Sequence, residues 1–142
     1  GSGDDEHILR KSFTEKGLEK AVQWRGRFSM ETIKALVNES TILLDPVDAS
    51  IANRAKSSFR VALALAYGLP IVTSSIGIRT AMIPSTFHVR FFAKPGDVSA
   101  YADKIVVLLQ QQITHSDRAL LQKAANHYTY STLAQMYYNC IV

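Results

Sequence analysis

A parallel α/β sheet with helices on both faces is the fold this sequence predicts, and three observations carry it. Segments of strand length alternate with segments of helix length along the 142 residues. The run Thr41–Leu44 (TILL) is continuous in the way parallel strands covered on both faces are. Gly68-Leu69-Pro70 stops an Ala/Leu-rich helix and opens a β run, and such alternation implies right-handed crossovers. The length suits one domain with a core of its own.

Each element follows from local signals. Asp4–Lys16 reads as a helix with acids in its first turn and Ile8, Leu9 and Phe13 near one face. Ala21–Trp24 reads as a short strand closed by Gly26. Met30–Val37 is a helix with Ser29 as its N-cap, and Phe28 and Ile33 stand at the staple positions around it. Thr41–Leu44 is a strand broken by Asp45-Pro46. The helix centred on Val61 ends at Gly68, a residue that tolerates the positive φ found just past a helix. Leu69–Thr73 is the third strand, Ile76–Ile83 a short helix and His88–Phe92 the fourth strand. Asp97 caps a helix whose stripe is Tyr101, Ile105, Leu108 and Leu109. Ser116–Asn139 is a last long helix broken near Tyr128–Ser131, with Met136, Tyr137 and Tyr138 as its packing residues.

Bulk properties narrow the class. Apolar residues at 47% and charged residues at 20% give a globular balance. The net charge of +4 is scattered, which suits a small anionic ligand and not the concentrated basic stripe of a nucleic-acid binder. One cysteine, Cys140, excludes an internal disulfide, and a cytoplasmic location is the expectation. No apolar run approaches the ~20 residues that span a bilayer. His7, His88, His115 and His127 have no ligand spacing, so no metal is expected. No nucleophile elbow or Ser-His-Asp order supports a hydrolase. Gly1-Ser2-Gly3 lacks the preceding strand and third glycine of a dinucleotide fingerprint. Neither an acidic cluster nor a flavin loop supports a receiver or flavodoxin-like domain.

The chemistry concentrates between Ile51 and Ser75. Lys56, Ser57 and Arg60 stand at the front of the Ala/Leu-rich helix, where positive partial charge makes a cation unfavourable unless an anion shares the site. Free N–H groups, cations and hydroxyls together suit a phosphate. In open sheets ligands sit beyond the carboxyl ends of the strands. Asp45, Asp48, Lys56, Ser57, Ser74, Ser75 and Gly77 all fall at that edge. Lys56 and Arg60, four apart, are expected to share a helix face, with Ser57 beside them and in the capping position. The hydroxyls of Thr73, Ser74 and Ser75 and the small Gly77 complete the expected set. Asp45 and Asp48 read as a strand end and a turn.

In this order the features resemble the C-terminal, donor-binding domain of group 1 glycosyltransferases, enzymes built from two Rossmann-like halves (the GT-B architecture). GSGDDEHIL is similar to the family's Gly-x-Gly segment, and VQWRGRFSMETIKALVNESTILLDP to its strand, helix and "adv-P" strand. The N-x-x-K-S-x-x-R stretch from Asn53, with ALAYGLPIVTSSIG, resembles its donor helix and "G-x-P-V-V" strand. KPGDVSAYADKIVVLL and the closing helix follow in order, so residues 1–142 read as one Rossmann-like domain cut from a longer two-domain enzyme, incomplete at its N-terminal side.

The resemblance implies transfer of a sugar, with retention, from a nucleotide-diphosphate sugar, which is substrate and not cofactor; no cofactor is implied. Lys56 and Arg60 would be the catalytic groups, stabilising the diphosphate leaving group. Asn53, Ser57, Thr73, Ser74, Ser75 and Gly77 would bind the donor. The acceptor would sit on an N-terminal domain missing from this chain, through which alone a membrane would be approached. The isolated chain is therefore expected to be inactive. The alternative is a catalytically incomplete module for nucleotide-sugar-like binding or for subunit interaction. Many members carry two glutamates eight positions apart, the second on the ribose; aligned on Gly68, Ala55 and Leu63 stand there.

Overall fold

The computed structural model describes residues 3–27 and 29–141, and the chain divides into two compact units, residues 1–38 and 39–142. Gly1 and Ser2 of the Gly-x-Gly and the Phe28 half of the staple lie outside the described residues.

The first unit holds helix α1 (Glu6–Glu15) and most of α2 (Met30–Glu39), joined by a 3₁₀ turn at Glu19–Ala21 and irregular chain. No residue of α1 is buried, so its expected apolar stripe stays largely open; Phe13 meets the Trp24 ring edge-on at 5.9 Å. The predicted strand at Ala21–Trp24 is absent. Val22 is extended, but no neighbouring strand among the described residues offers a ladder to make it one. Ser29 does cap α2, its hydroxyl accepting from the Thr32 N–H.

The second unit carries the sheet and the core. Among the described residues three parallel strands, β1 (Leu43–Asp45), β2 (Ile71–Ser74) and β3 (Phe92–Ala93), lie in that order, with Leu43 opposite Ile71 and Thr73 opposite both Asp45 and Phe92. All four residues of β2 are buried. Because successive side chains point to opposite faces, both faces of β2 are covered. β1 differs from the expected fully covered strand: it is an edge strand, and Leu44 is exposed.

Among the described residues nine helical segments connect and cover these strands: α3 (Ile51–Ala55), α4 (Phe59–Tyr67), α5 (Arg79–Met82), a 3₁₀ turn at Ser85–Phe87, α6 (His88–Phe91), α7 (Val98–Gln110), α8 (His115–Ala125), a 3₁₀ turn at Asn126–Tyr128 and α9 (Tyr130–Ile141). Gly68 ends α4 at φ 62°, and the Leu69 N–H reaches back to the Ala64 carbonyl. The core gathers Val61 and Leu65 of α4, Ile71 and Val72 of β2, Phe87, Phe91, Leu108 of α7 and Leu121 of α8.

The predicted fourth strand, His88–Phe92, is instead mostly helix. Phe87 and Phe91, four apart, stack at 5.0 Å inside the core while Val89 is exposed, a helical and not an alternating pattern; only Phe92 and Ala93 join the sheet. Asp97 caps α7 and the last helix breaks where expected. Met136 and Tyr138 are exposed on α9 where packing was expected, and nothing is described of the Tyr137 side chain. No helix among the described residues is long and apolar enough to cross a membrane.

Candidate functional site

A cleft of about 290 Å³ opens at the carboxyl end of β1, lined by Asp45, Asn53, Lys56, Ser57, Arg60 and Arg79, with Val47, Ser58 and Phe59 completing its wall. The local sequence builds it by breaking one expected helix into two. Ser50 caps α3 and accepts from the Asn53 N–H; Ser58 caps α4 and accepts from the Val61 N–H. Two caps eight residues apart force the chain out of helix between them. Lys56 is consequently the C-cap of α3, and its backbone at φ −80° and ψ 131° is extended. It does not share a helix face with Arg60, and Ser58 takes the capping role expected of Ser57.

The centre of the site is Asp45, 3% exposed. Its carboxylate accepts from Ser58 Oγ at 2.8 Å, Arg79 Nε at 2.8 Å and Arg60 Nη1 at 3.1 Å. Thr73 Oγ1 lies 3.3 Å from the same carboxylate and donates to the Asp45 backbone carbonyl at 3.0 Å. Burial alone would raise the Asp45 pKa; the hydrogen bonds from Arg79 and Ser58, the Arg79 charge and the Arg60 bond outweigh it and hold the carboxyl below its usual range. The anion that faces Arg60 at the start of α4 is thus the protein's own Asp45.

Charge balance still favours a further anion. One carboxylate faces three cations, Lys56, Arg60 and Arg79, so the cleft keeps an excess of two positive charges. Arg79 is 2% exposed, and besides the bond from its Nε to Asp45 its Nη1 donates to the Asn53 carbonyl at 3.1 Å. Arg60 is 61% exposed in its side chain and presents the rest of its guanidinium outward. Lys56 and Ser57 are exposed at the wall.

The remaining expected residues have other work. The Asn53 amide donates to Asp48 Oδ1 at 2.7 Å. The Thr73 and Ser74 side chains are buried, Ser74 Oγ bonding the Val47 carbonyl and the Tyr101 hydroxyl. Ser75 is exposed but outside the cleft, and its N–H bonds the Ala93 carbonyl. Gly77, at φ 56°, packs against the Arg54 backbone so closely that a Cβ would collide with the Arg54 carbonyl. Arg79 was not foreseen, because it follows Asp45 by 34 residues and no spacing rule joins them. No group of three or more His, Cys, Asp or Glu able to hold a metal comes together among the described residues.

A family model described as Glycosyl transferases group 1 matches residues 1–111, a span that includes all three strands and every residue lining the cleft. No curated protein matches the chain. A parallel Rossmann-like sheet, a cationic cleft beyond the end of β1 and a family match over most of the length agree, and the chain belongs to the group 1 glycosyl transferases.

Proposed function

We propose that this chain is the donor half of a glycosyl transferase and holds a nucleotide-diphosphate sugar with its diphosphate in the Asp45 cleft. The observation that carries this reading is the unbalanced charge: three cations against one buried carboxylate, with Lys56 and Arg60 both lining the cleft and exposed. A sugar-linked diphosphate carries about two negative charges in neutral solution, which matches that excess. Lys56 and Arg60 are set where charge accumulates as the sugar–phosphate bond breaks, and Ser57 adds a hydroxyl donor. In this reading transfer retains the sugar's anomeric configuration, needs no metal, and takes its acceptor from the other half of a two-domain enzyme working in the cytoplasm. The nucleoside is gripped weakly, since Ala55 and Leu63 offer the ribose no carboxylate.

Isothermal titration with uridine, guanosine and adenosine diphosphates tests it. Binding of at least one is expected, weakened by a hundredfold or so when Lys56→Ala and Arg60→Ala are combined, about tenfold for each lost charge contact. Absence of heat with all three would instead favour a subunit-interaction module, a role that the exposed Met136 and Tyr138 on α9 suit. A second outcome concerns the ribose. Leu63→Glu, at a half-buried position on α4, is expected to tighten binding of whichever diphosphate binds; unchanged affinity would refute the Gly68 alignment.

A further inference from the structure

We infer that Arg79 is a positioning residue for the anion cleft, acting on the ligand through Lys56 and Arg60 without touching it; the inference rests on the donor reading above. The geometry is that of a brace. One arm of the guanidinium, Nε, is fixed to Asp45 Oδ2 at 2.8 Å, and the other, Nη1, to the Asn53 carbonyl at 3.1 Å. Asp45 in turn holds Arg60, and Asn53 lies three residues before Lys56 at the end of α3. A single buried side chain therefore ties both cationic walls of the cleft to one rigid point.

The segment carrying Arg79 grips α3 a second time. Gly77 lies against the Arg54 backbone with no space for a side chain. A five-residue helix has little stability of its own, so where α3 ends, and hence where the Lys56 side chain starts, is set by these two contacts. Without them Lys56 samples many orientations, and a ligand must order it at the moment of binding.

Lysine cannot replace arginine here. A single ammonium on a flexible stem keeps the charge beside Asp45 but cannot span both acceptors in a fixed plane. Arg79→Lys therefore separates the brace from the charge.

The test is a double-mutant cycle on the folded chain, titrated with inorganic pyrophosphate and with uridine diphosphate. Arg79→Lys is expected to weaken pyrophosphate about tenfold, and Lys56→Ala, costly in the wild type, to cost less than about twofold more in the Arg79→Lys background. Full additivity of the two would overturn the positioning role while leaving the donor reading intact. Failure of the wild type to bind either compound would overturn both.

A measurement on the unmutated protein covers the case in which Arg79→Lys does not fold. By nuclear magnetic resonance the Arg79 Nε–H should exchange slowly with solvent and keep its shift when pyrophosphate is added, while the Lys56 and Arg60 side chains move. Rapid exchange at Arg79, or a shift as large as theirs, would refute the inference.

Discussion

Asp45 shows what a single buried charge demands of its neighbours. A carboxylate at 3% exposure is tolerable only with its lone pairs filled, and Ser58, Arg60, Arg79 and Thr73 fill them. Removing one partner of such a pair leaves the other stranded, so Arg79→Met should destabilise the protein by about 3–5 kcal/mol, read from urea unfolding at pH 7. That difference depends on pH. The folded Asp45 carboxyl lies below its unfolded value of about 3.9, so its stabilising effect is complete above that pH and fades as acid protonates it in the folded state. The gap between wild type and Arg79→Met should therefore narrow from pH 7 to pH 3. A constant gap would mean that Arg79 does not hold the Asp45 carboxyl below its unfolded value. At this scale the sequence was half legible. Cations at a helix start announced an anion, and Lys56, Ser57 and Arg60 do line a cleft. That Asp45 is part of that anion, and that Arg79 completes it, depended on contacts 15 and 34 residues apart that only the folded sheet creates.

Among the elements, the break between α3 and α4 matters most. Sequence patterning gave the Ala/Leu-rich helix centred on Val61 and its glycine stop, because both are local. It placed the cap on Ser57 and not on Ser58, because the choice rests on which hydroxyl can reach Asp45 while accepting from Val61. The two serines should therefore behave differently under substitution. Ser58→Ala removes a cap and a buried hydrogen bond and should lower stability by about 1–3 kcal/mol. Ser57→Ala, on the exposed wall, should stay within about 0.5 kcal/mol of wild type in thermal unfolding. Equal losses would contradict the placement of the cap. His88–Phe92 failed as a strand for a comparable reason: five residues of mixed character fit either period, and the Phe87–Phe91 stack in the core chose the helix.

At the level of the chain, the parallel pairing of the strands was readable from the alternation of elements, but their order and number were not. Very short strands such as β3, two residues long, leave almost no periodic trace. The core is also unevenly distributed: every residue of the main apolar cluster lies in residues 39–142. A chain cut to those residues is expected to unfold in urea as one cooperative transition with a midpoint close to that of the parent. A broad, non-cooperative loss of helical signal would show that residues 1–38 are needed to hold the fold.

The edge of β1, which no strand among the described residues pairs, has a consequence for colloidal behaviour. An unpaired strand invites an extended peptide from another molecule to lie alongside it, the first step toward fibrils. Here the invitation is brief: the strand is three residues long and Pro46, which has no amide hydrogen to offer, follows it at once. Concentrated solutions should accordingly stay clear and free of thioflavin-positive material.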